Sequence, residues 1–354
     1  MSSVPVTEAA VTLGAAPAIL EVDDLYTYIA TDDGVVRAVD GVSFELREGE
    51  ILGLVGESGS GKSVTCRTIA GLMPSPPARS IGEVRYTGYP GRNLLELRPA
   101  EQQRLRGAHI SMIFQDPMSA LNPVMRVGDQ IEEAVGAHAR LGARDRRRRA
   151  LALLDRVGIP ASARRLRDYP HEFSGGMRQR VLIAAAIASS PRILLADEPT
   201  TALDVIIQDQ ILSLLLELQR DSGMSMILVS HDLGVIAEMC DRIAVMYGGQ
   251  IVELADARTL LTEPRHPYTI SLLRSLPDAD RKTKYLQSIP GTPPRLVDIE
   301  PGCRFATRCP LATPECRTWE TELLAAGGAH LVRCRRHDDA RRPEAWPTQS
   351  YESE

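Results

Sequence analysis

The sequence predicts an α/β fold, in which helices cover a mostly parallel sheet, followed by a loop-rich C-terminal segment that contains cysteines. Three observations support this prediction. The apolar run Ile51–Val55 precedes a glycine-rich loop and then a helical pattern. Short apolar runs alternate with helical patterns between residues 190 and 256, which is typical of a parallel sheet. After residue 256 the proline density rises, and four of the six cysteines occur there.

Length and composition exclude several classes of protein. A chain of 354 residues exceeds one ordinary core, so two domains are expected. Its 44% apolar and 25% charged residues are typical of a globular protein, and its net charge of −5 does not favour a nucleic-acid partner. No apolar run approaches the ~20 residues of a membrane span, and no secretion signal is apparent, which predicts a cytosolic protein. We expect residues 1–17 to form a disordered tail.

The glycine-rich loop at residues 56–63 fits the phosphate-binding pattern G-x-x-x-x-G-K-[ST]. Its glycines allow backbone N–H groups to turn towards phosphate oxygens, and the following helix adds positive partial charge. Lys62 can reach the β- and γ-phosphates of a nucleotide, and the Ser63 hydroxyl can bind Mg²⁺. A glycine-rich turn with a chance lysine is the alternative, which the flanking strand and helix disfavour. The predicted nucleotide contacts are Gly56, Ser58, Gly59, Ser60, Gly61, Lys62, Ser63 and Val64.

The other predicted elements follow the periodicity of apolar residues. Two alternating patterns predict antiparallel strands around the turn Asp32-Asp33-Gly34. Four consecutive arginines within a polar helical region indicate a solvated helix face rather than a binding patch. Strands are predicted at residues 19–28, 38–46, 82–86, 110–115, 192–196, 225–229, 242–246 and 250–253, and helical patterns at residues 98–106, 127–167, 177–189, 208–220 and 233–240.

Two carboxylates, Asp197 and Glu198, follow the apolar strand predicted at residues 192–196. In a protein with a phosphate loop, the first such acid holds Mg²⁺, and the second can act as general base on the attacking water. An exposed acidic turn is the alternative, since Pro199 and Thr200 come next. The phosphate loop upstream favours the catalytic interpretation.

Two further polar side chains come at the ends of predicted strands. Gln115 ends the strand at residues 110–115, where its amide can bind Mg²⁺ or orient water. His231 follows the strand at residues 225–229, at the sheet edge where α/β proteins bind ligands, and can donate to a γ-phosphate. A lone histidine is more often structural, but this position favours a catalytic role beside Lys62 and Glu198.

A second anion-binding helix start is predicted at Ser174-Gly175-Gly176. The chain therefore has two such cradles but one Lys-Ser phosphate loop. The economical explanation is that the second cradle contacts a nucleotide held by another subunit. Its predicted nucleotide contacts are Ser174, Gly175, Gly176, Met177 and Gln179.

Together these motifs resemble those of the ATP-binding subunits of ABC transporters. The residues that carry the resemblance are spread over residues 19–340 and occur in the order that the family shows. They are Walker A at residues 56–63, the Q-loop at Gln115, the signature at residues 174–179, Walker B at residues 193–197 with Glu198, the D-loop at residues 202–204 and the H-loop at His231.

Three stretches resemble one subfamily, the oligopeptide/dipeptide importers. The signature reads Phe-Ser-Gly-Gly-Met at residues 173–177, where Leu-Ser-Gly-Gly-Gln is usual in the wider family. The other two stretches are residues 201–205 and the sequence His-Pro-Tyr-Thr at residues 266–269. The family stacks adenine on an aromatic residue just after the first strand. The register places Ile29 there with Tyr26 and Tyr28 as neighbours, and Tyr28 is the predicted contact.

The resemblance also implies a fold and a function. It implies an ATP-binding domain at residues 18–256, with a RecA-like core sheet, an antiparallel β subdomain and a helical subdomain at about residues 116–190. The implied activity is ATP hydrolysis that drives peptide import, at the cytoplasmic face of the cell membrane, with ATP and Mg²⁺ as cofactors. The implied partners are a second ATP-binding subunit that is related but not identical, two transmembrane permease subunits and an extracytoplasmic substrate-binding protein.

Three other functions share some of these motifs. A soluble ABC ATPase of DNA repair or translation usually has long coiled coils or two cassettes, and this chain shows neither pattern. Relatives in the same subfamily import nickel or glutathione, so these substrates stay open. A small-molecule kinase built on the same phosphate loop would leave Ser174-Gly175-Gly176 unexplained.

Four cysteines lie in the extension predicted at residues 257–354, and we expect them to bind a metal. In a reducing cytosol such a group indicates metal before disulfides. The spacing lacks the Cys-x2-Cys pairs of most zinc ribbons, and four thiolates also suit a [4Fe–4S] cluster. The resemblance favours the cluster over zinc, because members of the subfamily carry one in a similar segment. The expected ligands are Cys303, Cys309, Cys316 and Cys334, with His330 and His337 as substitutes.

Overall fold

The structure, a computed structural model, describes residues 16–201, 203–275, 289–320 and 322–340. Of the tail predicted at residues 1–17, the first fifteen residues lie outside these ranges, as does Ala202 of the predicted D-loop. The strands are β1 Ala18–Thr31, β2 Gly34–Arg47, β3 Ile51–Val55, β4 Ala78–Tyr86, β5 Ile110–Ile113, β6 Ile193–Asp197, β7 Ser225–Ser230, β8 Arg242–Tyr247, β9 Gln250–Asp256, β10 Leu324–Ala325 and β11 Leu331–Val332.

The helices alternate with the strands of the core, as the sequence predicts. Most are short, and they begin at residues with cap geometry or at glycine turns. They are α1 Lys62–Ile69, α2 Pro99–Leu105, α3 Pro117–Ala120, α4 Val127–Gly136, α5 Ala143–Arg156, α6 Ser162–Arg165, α7 Gly175–Ala186, α8 Val205–Ser222, α9 Leu233–Met239, α10 Ala257–Thr262, α11 Pro267–Arg274 and α12 His337–Ala340, with 3₁₀ turns at Leu94–Glu96, Pro170–Glu172 and Pro314–Arg317.

The N-terminal strands form the predicted antiparallel sheet, in the order β2-β1-β4. A two-residue turn joins β1 to β2, and Thr31 pairs with Gly34 across it. The Thr31 hydroxyl donates to the Gly34 carbonyl oxygen at 2.7 Å, which closes the hairpin. The strands are longer than predicted, because residues outside the alternating pattern, such as Ala30 and the exposed Val35, still pair across the hairpin.

The core sheet has the order β10-β11-β9-β8-β3-β7-β6-β5. Strands β3, β5, β6, β7 and β8 run parallel, and β9 pairs antiparallel with β8. Every residue of β3, β6, β7 and β8 is buried, because structure covers both faces of the sheet. Ile51 and Val55 pack with the helices on one face, while Leu52 and Leu54 pack with the antiparallel sheet on the other. This arrangement confirms the predicted α/β fold.

The C-terminal extension is more regular than the sequence predicts. Two helices, α10 and α11, follow β9 directly, and β11 then pairs with β9 and joins the core sheet. The segment predicted to be loop-rich therefore begins with two helices that the sequence pattern does not indicate. The start of α11 is hard to predict because proline usually indicates a loop, whereas Pro267 occupies the first helical position, where proline is tolerated. Within the described ranges no helix combines the length and apolar character needed to cross a membrane.

Candidate functional site

The phosphate loop connects β3 to α1 and is held closely by its neighbours. Gly61 caps the N-terminus of α1 with a φ of 105°, which glycine adopts without strain. A Cβ added at Gly56 would lie 2.1 Å from the carbonyl oxygen of Met246, so no side chain fits there. On the other side, the Gly249 N–H donates to the Ser60 carbonyl oxygen at 2.9 Å. The loop is thus clamped between its own helix and the end of β8.

Lys62 lies buried at the base of the loop. Its Nζ donates to the carbonyl oxygens of Gly56, at 2.8 Å, and Glu57, at 3.0 Å. Burial lowers the pKa of Lys62, and the charges of Glu198 and Asp197 oppose this shift. The ammonium group is therefore a desolvated cation with weak partners, and an entering phosphate group would replace the two carbonyl oxygens.

Ser63 and Asp197 bring two motifs into contact. The Ser63 hydroxyl donates to Asp197 Oδ1 at 2.6 Å. Asp197 is fully buried at the end of β6, and its Oδ2 has no hydrogen-bond partner within the described residues. Burial raises the pKa of Asp197, and the bond from Ser63 opposes that shift. A buried carboxylate oxygen without a partner, beside a hydroxyl, fits Mg²⁺, which takes few protein ligands and completes its shell with phosphate and water.

Glu198 is the residue at which several predicted motifs meet. Its Oε2 accepts hydrogen bonds from Gln115 Nε2, at 3.0 Å, and from Thr201 Oγ1, at 2.8 Å. The same oxygen lies 3.6 Å from Nδ1 of His231. The φ of Glu198 is 46°, a strained backbone that costs roughly 1–3 kcal/mol and persists only where its surroundings enforce it. The surrounding fold therefore holds Glu198 in a backbone conformation that a residue other than glycine disfavours.

The other predicted residues around Glu198 are placed as follows. Gln115 lies two residues beyond β5, which ends at Ile113, so the prediction that it ends the strand is wrong, and its amide contacts Glu198 rather than Asp197. His231 follows β7 with a 66% exposed side chain. Together with Ser230, Thr201 and other residues, Glu198 and His231 line an open cavity of about 240 Å³. The cavity gives Glu198 access to water and ligand.

Thr201 is the residue at this site that sequence reasoning missed. It bonds to Glu198 through its hydroxyl, and its backbone N–H donates to the Glu198 carbonyl oxygen at 3.2 Å. The sequence signal was a hydroxyl residue three positions after the acid, in a turn that begins with Pro199.

The Ser-Gly-Gly stretch forms the N-terminus of α7, as predicted. Ser174 is the N-cap and accepts a bond from the Met177 N–H at 3.3 Å. Ser174 and Gly175 are exposed to solvent, whereas Gly176 and Met177 are partly buried. Gln179 is 1% exposed and lies on the buried side of α7, and its predicted contact with a nucleotide stays a prediction.

Tyr28, the predicted adenine contact, has partners already. Its hydroxyl donates to Asp40 Oδ1 at 2.6 Å, and the Arg37 guanidinium carbon lies 5.8 Å from the ring centroid. Partial burial and the bond to Asp40 raise the pKa of Tyr28 to about 12. Tyr28 as a whole is half-buried, and its predicted contact with adenine stays a prediction.

The four C-terminal cysteines line one small cavity, together with residues that include His266 and Phe305. Burial raises the pKa of Cys303, and it raises the pKa of Cys309 and Cys334 to about 12. Within the described residues, however, no group of three or more His, Cys, Asp or Glu side chains converges on a point where one metal ion would bind. The predicted metal site, a [4Fe–4S] cluster with zinc as the alternative, is therefore not supported by the described residues, and neither are the substitutes His330, which bonds to Glu253, and His337.

The donor set is compatible with a cluster of several metal atoms. In a [4Fe–4S] cluster each thiolate binds a different iron, so the four sulfur atoms surround a volume and do not meet at one point. Four cysteines line one cavity here, so the number of thiols matches the number that such a cluster takes.

Comparisons with known proteins place this geometry in a family. A family profile described as "ABC transporter" matches residues 39–201, and one described as "Oligopeptide/dipeptide transporter, C-terminal region" matches residues 252–316. A dipeptide transport ATP-binding protein of Bacillus subtilis, DppD, is 47% identical over 89% of this chain and 94% of its own length. The chain belongs to the ABC transporter family. DppD of Escherichia coli is 46% identical over 92% of this chain and 99% of its own length.

Solved structures agree with this assignment. A dimeric post-hydrolysis structure of the ATP-binding cassette MJ0796, bound to ADP and Pi, superposes with a TM-score of 0.60 at 28% identity. It covers 68% of this chain and 99% of the cassette. The chain is therefore an ABC-type ATPase with a C-terminal region of the oligopeptide/dipeptide transporter type, which confirms the predicted family, fold and enzyme class.

Proposed function

We propose that this ATPase drives peptide import from the cytoplasmic face of the cell membrane. The match of its C-terminal region to oligopeptide/dipeptide transporters and the names of its relatives support a peptide substrate. In this proposal it works with a second, related ATP-binding subunit, two transmembrane permease subunits and an extracytoplasmic substrate-binding protein. The division into a domain at residues 18–256 and an extension at residues 257–354 is part of the same proposal.

The convergence of Gln115, Thr201 and His231 on Glu198 is the observation that carries the catalytic part of the proposal. Glu198 acts as general base on the attacking water, because its carboxylate is accessible from the cavity and has a fixed orientation. His231 donates to the γ-phosphate. Gln115 orients the carboxylate and the water beside it.

The phosphate loop provides the binding part of the mechanism. Lys62 exchanges its carbonyl partners for the β- and γ-phosphates. Ser63 and Asp197 hold Mg²⁺, which neutralises charge on the phosphates when it is bound. The exposed Ser174 and Gly175 complete the nucleotide site of the second subunit, so that ATP closes the pair and hydrolysis opens it.

We also propose that Cys303, Cys309, Cys316 and Cys334 hold a [4Fe–4S] cluster. The cavity that all four cysteines line supports this proposal, because a [4Fe–4S] cluster takes four thiolates. When bound, the cluster would stabilise the C-terminal segment, which has few apolar residues of its own.

Replacing Glu198 by glutamine tests the proposed function. In complexes assembled with the permeases in vesicles, Glu198→Gln should bind ATP like the unchanged protein and lose about 10²–10⁴-fold in ATP turnover, together with dipeptide uptake. Glu217→Gln, an exposed carboxylate on α8, is the matched control and should retain both activities. Turnover near the unchanged rate in Glu198→Gln would remove the general-base assignment. If the unchanged complex hydrolyses ATP but takes up no dipeptide, a non-transport ABC ATPase or an importer of nickel or glutathione would be favoured instead.

A further inference from the structure

We propose that the segment between Cys303 and Cys309 positions the phosphate loop, with Arg308 as the positioning residue, so that changes in this segment alter nucleotide affinity. The inference rests on nucleotide binding by the loop and is independent of what the transporter carries. It assigns the C-terminal extension a direct part in the nucleotide site.

The central contact is a two-pronged ion pair between Arg308 and Glu57, the first residue after Gly56 in the loop. The two guanidinium nitrogens donate to the two carboxylate oxygens of Glu57 at 2.6 and 3.0 Å. The Arg308 side chain is 3% exposed, and the bond to Glu57 raises its pKa, so it stays charged. A paired fork of this kind fixes direction as well as distance.

Arg308 is itself held by several partners. Its Nε donates to the Pro290 carbonyl oxygen at 2.9 Å, and another nitrogen donates to the Ile289 carbonyl oxygen at 3.3 Å. A third bond reaches the Tyr247 hydroxyl at 3.2 Å. An arginine with its donors occupied in this way has little freedom, so Glu57 pairs with a fixed partner.

Glu57 in turn bears directly on the catalytic lysine. Its carbonyl oxygen accepts a bond from Lys62 Nζ at 3.0 Å and from the Ser60 N–H at 3.2 Å. Its own N–H donates to the Tyr268 hydroxyl at 2.9 Å, so α11 holds its backbone while Arg308 holds its side chain. A displacement of Glu57 would therefore displace Lys62 and the Ser60 amide, which both donate to its carbonyl oxygen. Small displacements of groups that bind a ligand weaken the binding.

A second arginine of the same segment supports the loop from another side. Arg304 donates to the Gly248 carbonyl oxygen and pairs with Asp40. The next residue, Gly249, donates its N–H to Ser60 in the loop at 2.9 Å. The other carboxylate oxygen of Asp40 accepts the Tyr28 hydroxyl. The segment thus reaches the loop and the proposed adenine side together.

The two arginines lie between two cysteines of the shared cavity. The segment is anchored there by a bond from the Cys303 N–H to the Cys316 carbonyl oxygen at 2.8 Å. Phe305, 1% exposed, packs against the rings of Tyr247 and Tyr268, with centroids 5.2 and 5.4 Å away. A change at the cysteines therefore has a packed and hydrogen-bonded route to Glu57.

The test measures the affinity of the purified full-length chain for Mg-ADP. Arg308→Gln should weaken it at least about fivefold, since breaking a buried charged pair leaves Glu57 without its fixed partner. Arg317→Gln is the matched control, because Arg317 also neighbours a cysteine of the cavity but is exposed to solvent, and it should change affinity less than about twofold. An Arg308→Gln affinity within about twofold of the unchanged protein would overturn the proposal.

The single variant Glu57→Gln keeps the test valid if Arg308→Gln is poorly folded, and the two changes together form a double-mutant cycle if both variants fold. Glu57 is 25% exposed, so its amide variant should fold, and it should weaken Mg-ADP binding by a similar factor. The double variant should bind Mg-ADP about as well as either single variant, because both changes break the same ion pair. If the loss of Mg-ADP affinity in the double variant equals the product of the two single losses, the coupling between Arg308 and Glu57 is refuted.

A kinetic readout separates positioning from general damage. In the assembled complex, Arg308→Gln should raise KM for ATP while kcat at saturating ATP stays within about twofold, because the bound nucleotide realigns the loop. A fall in kcat with an unchanged KM would contradict the proposal. Absence of peptide uptake by the unchanged complex, with the ADP affinities as expected, would count against the proposed substrate and not against the role of Arg308.

Discussion

Gly176 provides a test of how tightly α7 packs on α8. A Cβ added at Gly176 would lie 2.5 Å from Ile207 Cγ2, well inside the ~3.5–4.0 Å of an ordinary carbon contact. The Ile207 methyl cannot turn away cheaply, since a β-branched side chain in a helix has one strongly preferred rotamer. Gly176→Ala should therefore force the start of α7 away from α8, or force Ile207 into a poor conformation.

The size of the effect follows from two opposing contributions. Overpacking of this kind costs about 1–3 kcal/mol, whereas alanine in place of glycine stabilises a helix by about 1 kcal/mol. Gly176→Ala should thus lower the free energy of unfolding by about 1 kcal/mol. In an Ile207→Ala background the obstructing methyl is gone, so the same substitution should raise it by about 0.5–1 kcal/mol. The sign of the effect should reverse.

Thermal unfolding of the purified full chain measures both backgrounds, at about 2–4 °C per kcal/mol. Gly175→Ala is the matched control, because its Cβ would lie 3.5 Å from Leu203 Cδ2, an ordinary contact. It should leave the melting temperature unchanged or slightly raised. If Gly176→Ala destabilises the protein equally in the unchanged and Ile207→Ala backgrounds, the steric explanation is refuted.

Two further predictions concern the cofactor and the lysine. Protein purified without oxygen should contain about four irons and four sulfides per chain, and Cys66→Ser or Cys240→Ser, at buried sites elsewhere, should not change this content. Stoichiometric zinc without iron would refute the cluster, and four freely alkylated C-terminal thiols without either metal would refute the site. Because burial lowers the pKa of Lys62, its charge is complete at low pH and is lost as pH rises through that lowered value. Mg-ADP affinity should therefore fall towards alkaline pH in the unchanged chain but not in Lys62→Arg, and a parallel decline in both would contradict this reasoning.

Much of the fold was predictable because its signals are local. The phosphate loop and the buried strands of the core each depend on a few consecutive residues, and the structure places them as predicted. The boundaries of β1, β2 and β4 were not, because paired residues at exposed strand ends need not alternate. The start of α11 was missed because proline density suggests a loop, although Pro267 occupies the one helical turn that accepts proline.

The parts of the site that escaped prediction depend on contacts that are distant in sequence. Arg308 and Glu57 are 251 positions apart, and no pattern around either residue indicates the other. Gln179 belongs to a recognisable motif, but its position on the buried side of α7 follows from helix packing. Thr201 was closer to prediction, because a hydroxyl three residues after an acid in a turn commonly bonds back to it.

The short strands β10 and β11 have a consequence for solubility. Without them, β9 would be the edge of the core sheet, with five consecutive buried residues and a row of unpaired backbone groups. Such an edge is a template for strands of other chains and promotes aggregation. β11 occupies it through Leu331 and Val332, and the new outer strand, β10, is two residues long and so offers almost nothing to pair with. The C-terminal extension therefore keeps the sheet from growing into a neighbouring molecule.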